Sequence, residues 1–360
     1  MPATFETAAL STALKQAVSI VKAHDTIPIV ACVLFEIDGS TASITASDLT
    51  IWHRQSLPCE SDGVSRFAVD ARAISRVVSN AAASTVKLSE KDGRLTISSG
   101  RSRFTLPTIA HGDYPKPRED EYVGSIQFSG EALNLAMSRA FPAISSEEAR
   151  YYLNGEFMHV MDGRVWLVAT DGHRLAKIAA GNCDARLPDT IIGTKTVKSI
   201  MAMAAHGDVK LSLSRTNVKA EGDGVTIIAK VVDGTFPDYA RVIPARSANV
   251  ATVDSASLAS VIGRCTSVTD MKGSAMKFEF GDSQIAVSIA LADGSAAQDS
   301  VACEYEGEPV TLGMNYNYSR ELLRTIDGDA KIYLDTATSA VRIEQVSAPD
   351  DVFVIMPMRL

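Results

Sequence analysis

Cysteine is scarce and scattered in this chain. Cys32, Cys59, Cys183, Cys265 and Cys303 are odd in number and form no CxxC pair, which argues against a disulfide framework or a zinc site and for buried, reduced thiols. No apolar run approaches the roughly 18 residues of a membrane helix. The first fifteen or so residues lack the basic-then-apolar profile of a signal peptide, so a cytoplasmic protein without membrane contact is expected. Walker A, HExxH and GxSxG patterns are absent, and the Ser-x-x-Lys matches at Ser84 to Lys87 and Ser274 to Lys277 lack a Lys-Thr-Gly triplet. Ser84 also opens a predicted strand instead of a helix. His173 in Asp171-Gly172-His173-Arg174 has no second His or Cys at ligand spacing and reads as a turn histidine with a packing role. No catalytic residue, metal or cofactor is expected, and the chain does not read as an enzyme.

What the chain does have is a long internal repeat, at a spacing of roughly 120 residues. The apolar set Leu10, Ala13, Leu14, Ala17 and Val18 recurs as Leu133, Ala136, Met137, Ala140 and Phe141, then as Leu258, Val261, Ile262 and Cys265. A second helical pattern, Ile74, Val77, Val78 and Ala81, returns as Val197, Ile200, Met201 and Ala204, and more loosely as Leu322, Leu323 and Ile326. Asp-Gly hairpin turns stand between them at Asp38-Gly39 and Asp162-Gly163, and Val-Lys-Leu at Val86 to Leu88 recurs at Val209 to Leu211. A chain of 360 residues that is 46% hydrophobic has room for three domains, set here at 1–123, 124–246 and 247–360. The proline-rich charged stretch Pro115 to Glu121 and the stretch Pro244 to Asn249 are the expected boundaries.

Period-two segments such as Ser43 to Ala46, Thr96 to Ser98, Val225 to Ile228 and Ile285 to Ile289 predict strands with one buried face. They outnumber the helical stretches, about two per repeat, which predicts an α+β fold with helices packed on antiparallel sheets. The net charge of -8 argues against a binder held to nucleic acid by bulk charge. Yet the helical windows carry Lys15, Lys22, Arg72, Arg76, Arg139, Arg150, Lys195, Lys198, Arg264, Lys272, Arg320 and Arg324, a local excess of roughly +5. These are either ordinary solvated helix faces or one shared basic surface.

Five short runs, in order along the chain, resemble one family. Ser99 to Phe104 (SGRSRF), Arg150 to Gly155 (RYYLNG), Leu167 to Ala176 (LVATDGHRLA), Phe236 to Tyr239 (FPDY) and Met356 to Leu360 (MPMRL) look like the bacterial DNA polymerase III beta subunit, the replicative sliding clamp. The resemblance implies a DNA clamp fold: three similar domains, each with two helices on antiparallel sheets, closing into a ring as a homodimer. Twelve helices about 9 Å apart give a circle about 35 Å across, wider than a DNA duplex. A basic inner surface there attracts phosphates without reading bases, so double-stranded DNA can slide. Partners implied are the DNA polymerase III catalytic subunit, the clamp loader and other proteins with clamp-binding peptide motifs.

The resemblance also implies site residues. Expected to face DNA are Lys22, His24, Arg72, Arg76, Arg139, Arg150, Tyr151, Tyr152, Lys195, Lys198, Lys272, Asn315 and Tyr318; Tyr151 and Tyr152 read equally as core aromatics. A partner-peptide groove would use Leu153, Thr170, Gly172, His173, Arg174, Leu175, Pro237, Arg241, Val242, Ile355, Met356, Pro357, Met358, Arg359 and Leu360. Its methionines would mould an apolar pocket, with Arg174 and Arg241 at the rim. The dimer interface would use Arg103, Phe104 and Leu106 against Ser267 and Val268. Where the family commonly has aliphatic side chains, this chain has Thr266-Ser267-Val268, so a more polar, more readily opened ring is expected. A monomeric DNA-binding or scaffold module would share the basic helices and the groove, and differ in not closing into a ring.

Overall fold

A computed structural model describes residues 2–22, 27–118, 120–269 and 275–360. The chain divides into two compact units: residues 1–130 with 202–231, and residues 131–201 with 232–360.

The first unit is built on a sheet of 13 strands, every neighbouring pair antiparallel. Its central run is Asn217–Gly222, Val225–Lys230, Ile51–Pro58, Thr41–Ser47, Cys32–Asp38 and Val64–Asp70. Val225–Lys230, from the second repeat, pairs directly with Ile51–Pro58 from the first, with Val225 opposite Gln55 and Ala229 opposite Ile51. Helix α1 (Thr7–Ile20) buries Leu10, Ala13, Leu14, Ala17 and Ile20, the i, i+3, i+4 stripe of an amphipathic helix. It packs on Thr41–Ser47, Ile51–Pro58 and helix α2 (Ala71–Ser79). The α2 N-terminus is fixed by Asp70, whose carboxylate accepts from the Ala73 N–H at 2.6 Å. Below the helices, Phe35 stacks on Phe67 at 5.1 Å and meets Phe5 edge-on at 6.5 Å.

The second unit holds a nine-stranded and a four-stranded sheet. The nine run Thr190–Gly193, Gly155–Met161, Arg164–Thr170, Arg174–Asn182, Ala348–Ile355, Val341–Gln345, Asp329–Leu334, Asn249–Asp254 and Glu304–Glu306. Here too strands from two repeats join: Arg174 to Lys177 pair with Ile355 to Val352. The hairpin at Asp162-Gly163 has φ of 53° and 73°, the paired left-handed residues that match strand twist. Helix α3 is Gly130–Ala140 and α4 is Thr194–Ala204, and the Asn134 side-chain amide donates to the Met201 carbonyl at 3.0 Å. Helices α5 (Ser255–Cys265) and α6 (Tyr316–Leu323) pack on each other, capped by Asp254 and Asn315. These six are the α-helices among the described residues, and the α+β expectation of two per repeat matches them.

Candidate functional site

Thr170 to Arg174 turns between two strands of the second unit, and its own side chains fix the turn. The Asp171 carboxylate accepts from the His173 and Arg174 N–H groups at 2.9 and 3.0 Å, while the Thr170 hydroxyl donates to the Arg174 carbonyl at 2.7 Å and accepts from the Gly172 N–H at 3.1 Å. Gly172 has φ +90° and lies under the Arg150 guanidinium, so a Cβ there would meet Arg150 Nη1 at 2.7 Å. Arg174 Nε donates to Asp171 Oδ2 at 3.0 Å, Nη1 donates to Glu321 Oε2 at 2.5 Å, and the guanidinium sits 4.2 Å from the centre of the Tyr318 ring. The His173 ring stacks on the same tyrosine at 6.4 Å. Arg174 was expected at the rim as a donor to peptide; with its side chain only 10% exposed and two carboxylates already bound, it holds the turn instead. Arg241 is exposed and paired with Asp238 at 2.7 Å.

The carboxy-terminal residues attach to this turn and to one more strand. The Met356 N–H donates to the His173 carbonyl and the Met358 N–H to the Gly313 carbonyl, both at 2.8 Å. Gly313 lies in the strand Val310–Asn315, and a Cβ there would stand 2.5 Å from the Met358 carbonyl oxygen and 3.1 Å from Leu360 Cδ2, so any side chain would push the tail away. Met356, Met358, Leu360 and Val242 are exposed large apolar residues. Leu153 and Leu175, expected groove residues, are buried in one cluster with Phe236, Tyr239, Val352 and Val354, against which Tyr152 and Ile243 pack. Thr170 and Ile355 are buried as well, so these four underlie the surface. Within this layer His159 Nε2 and the Tyr239 hydroxyl are 2.8 Å apart; burial pushes the tyrosine up to about 12 and the histidine below its ordinary value, which leaves both uncharged near neutrality.

The residues expected to face DNA separate into free and committed side chains. Lys22, Arg72 and Arg76 in the first unit and Lys198 in the second are exposed, and Lys198 Nζ sits 5.3 Å over the Phe141 ring. Lys195 is half-buried. Tyr151 is exposed, with its ring edge-on to Tyr152 at 5.8 Å. Arg150 is half-buried and bonded to Glu147 through two 2.7 Å contacts, which hold the glutamate below the usual carboxylate range. His24 and Lys272 lie outside the described residues. Two side chains contradict the expectation. Arg139 is buried: Nη1 donates to Asp351 at 3.0 Å, Nε to the Thr325 carbonyl at 3.0 Å and Nη2 to Asp327 at 3.2 Å, which leaves no face for a phosphate. Asn315 is buried too, its side-chain oxygen accepting from the Asn317 and Tyr318 N–H groups at the start of α6.

Models of the N-terminal, central and C-terminal domains of the DNA polymerase III beta subunit match residues 1–117, 127–238 and 240–359 in turn. The beta sliding clamp of Caulobacter vibrioides is 30% identical over 100% of both chains. The chain belongs to the beta sliding clamp family. The clamp of Pseudomonas aeruginosa is 27% identical over 99% of each chain. Among solved structures, the clamp of Bartonella birtlesii, bound to griselimycin, superposes with a TM-score of 0.94 at 26% identity, and that of Caulobacter crescentus with 0.90 at 30%, each over the full length of both chains. The chain is therefore a DNA replication protein of the processivity-factor class and not an enzyme. No helix among the described residues is long and apolar enough to cross a membrane.

Two strand edges of this clamp bear on the expected interface. Ser102–Ile109 pairs along Ser102 to Pro107 with Arg94–Ser99 on one side, while its other side is paired only at Thr108 and Ile109. That leaves an open edge carrying exposed Arg103 and Phe104 and half-buried Leu106. Ala296–Ala302 ends the four-stranded sheet with one partner, Gln284–Ala290. Ser267 and Val268 lie on a 3-10 turn, Thr266–Val268, and Arg264 Nε donates to Asp299 on that edge strand at 2.6 Å. Sequence reasoning missed Asp171, Glu321 and Gly313. A carboxylate two residues before a turn position, Asp171 to His173, is a legible Asx-turn signal. Gly313 gave none, because its role depends on a tail 45 residues away in the chain.

Proposed function

We propose that this clamp is a ring-shaped homodimer of domains 1–123, 124–246 and 247–360 that encircles double-stranded DNA in the cytoplasm, slides without sequence preference, and tethers DNA polymerase III and other partners by short peptides. The observation that carries the reading is the full-length match in sequence and fold to beta sliding clamps. Exposed Lys22, Arg72, Arg76 and Lys198 supply interchangeable phosphate contacts, which position a duplex without reading it. With no Walker A pattern in the chain, ring opening falls to a separate ATP-driven loader. Two free edges, at Ser102–Ile109 and Ala296–Ala302, supply main-chain groups for strand pairing between copies. Negative-stain electron microscopy of the purified protein tests closure: six-lobed rings with a central hole are expected, and single crescents would refute it. Because Ser267 and Thr266 are polar, the ring is expected to dissociate on dilution; sedimentation that still finds a dimer at low nanomolar concentration would contradict this.

The peptide groove is the surface formed by Gly172, His173, Pro237, Arg241, Val242 and Met356 to Leu360, over the buried Leu153 and Leu175. Flexible exposed methionines suit varied leucine and phenylalanine anchors, and the griselimycin bound by the Bartonella birtlesii clamp shows that a clamp of this family takes a ligand. Deleting Met358 to Leu360 removes the contact to Gly313 and is expected to abolish binding of a Gln-Leu-x-Leu-Phe peptide while rings persist. Unchanged affinity by calorimetry would move the groove elsewhere.

A further inference from the structure

The first unit contains a cleft of about 910 Å³ that none of the proposed clamp functions uses. Its floor is one face of six adjacent strands, read from register: Lys219 opposite Ile228, Ile228 opposite Trp52, Thr226 opposite Arg54, Arg54 opposite Thr45, Thr45 opposite Leu34, and Glu36 opposite Arg66. Its wall is formed by His111, Gly112, Tyr114 to Arg118, Asp120 and Tyr122, and is pinned at two places. The Tyr114 hydroxyl is 2.9 Å from the Thr45 carbonyl and 3.2 Å from that of Cys32, and Trp52 Nε1 donates to the Pro115 carbonyl at 3.0 Å. At the far end Asp120 accepts from Asn217 at 2.8 Å, from Ser214 at 2.9 Å and from Thr216, hydrogen bonds that hold its carboxyl below the usual range. The floor and the wall of the cleft are therefore tied to each other by hydrogen bonds.

The charge in it is lopsided. Arg54, Arg66, Lys116, Arg118 and Lys219 line it against the carboxylates of Glu36 and Asp120, with Arg118 3.9 Å from Asp120 and Lys219 paired at 2.6 Å with Glu221, in a chain whose net charge is -8. Glu36 is shared by two guanidiniums at 3.5 and 3.6 Å, beyond good hydrogen-bond distance, and the two arginine side chains stay 57% and 55% exposed. One carboxylate between two cations leaves both with unused N–H donors. Apolar surface from Leu34, Ile228 and Pro117 lies beside them.

We propose that this cleft binds an extended acidic peptide segment of a partner protein. Six strands at about 4.8 Å span about 24 Å, the length of about seven extended residues at 3.3 Å each. Such a peptide can stagger carboxylates onto Arg54, Arg66 and Arg118 while its apolar side chains lie on Leu34 and Ile228. A nucleic-acid strand fits less well, because it carries a charge at every unit, whereas a peptide can set an uncharged side chain against the Glu36 carboxylate between its acids.

Fluorescence polarisation on the full chain tests it, with fluorescein-labelled Glu-Asp-Leu-Glu-Leu-Asp-Glu as probe. Saturable binding is expected, weakened about tenfold or more by Arg54→Ala with Arg66→Ala and by high salt. Glu36→Gln removes the carboxylate that stands between the two arginines and is expected to tighten binding, a gain that misfolding cannot imitate. The proposal is overturned if the acidic peptide does not saturate, if a Lys-for-acid version binds as well, if Glu36→Gln leaves affinity unchanged, or if single-stranded heptathymidylate binds more tightly than the peptide.

Discussion

Replacing Arg139 with methionine is expected to destabilise the second unit by about 3–5 kcal/mol. The guanidinium and the Asp351 carboxylate, 3.0 Å apart, have side chains only 7% and 5% exposed. Asp351 also accepts from the Ala179 N–H at 2.9 Å, so it stays in place when its partner is removed. Burial already holds the Asp351 carboxyl above the ordinary aspartate value despite Arg139, and without the arginine the charge would stand nearly uncompensated. Adding Asp351→Asn keeps an acceptor for Ala179 and removes the orphan charge, so the double variant should recover most of the loss. Urea unfolding followed by Trp166, in a Trp52→Phe background, reads this unit because each unit contains one of the two tryptophans. A loss below about 1 kcal/mol would mean that Arg139 behaves as a surface pair and that its DNA-facing assignment should be reinstated.

Glu156→Met is expected to stabilise the same unit, and increasingly so as pH rises. Glu156 lies on the strand Gly155–Met161, is fully buried, and has no hydrogen-bond partner on either carboxylate oxygen. Burial raises its pKa well above the usual glutamate value. The folded state then keeps a proton that the unfolded chain releases near pH 4.5. Stability from this group is complete below that point and falls by about 1.4 kcal/mol per pH unit as pH climbs toward the folded value. The difference between wild type and variant in urea midpoint, across a pH series, isolates the slope from other titrations. A difference that stays flat with pH would show that the carboxyl finds a partner when ionised.

Both residues show the limits of reading the chain alone. Arg139 is one of the cations of the helical windows and sits in the last turn of α3, so its charge read as surface charge. Its acceptors, Thr325, Asp327 and Asp351, lie more than 180 residues away and carry no local signal. Glu156 follows a motif run, Arg150 to Gly155, and nothing in its neighbours announces a buried carboxyl. Within the candidate groove, Gly172, His173 and the terminal methionines were expected only through the family resemblance of short local runs; by themselves they read as a turn and as core. The role of Arg174 was not: its two carboxylates and the Tyr318 ring come partly from helix α6, on another stretch of chain.

Local pattern sufficed for the repeat, the six amphipathic helices and the period-two strands, because each is set by the spacing of apolar residues on one face and by capping and turn residues such as Asp70, Asp254 and Asp162-Gly163. The family followed from motifs of the same short range. Only the tertiary structure decided that the repeats are joined edge to edge, Val225–Lys230 onto Ile51–Pro58 and Arg174–Asn182 onto Ala348–Ile355. Main-chain hydrogen bonds between strands are alike for nearly every residue, so strand order is chosen by the packing of whole faces and leaves no mark in either sequence. The same holds for the cleft over Arg54 and Arg66, whose floor draws on strands about 190 residues apart.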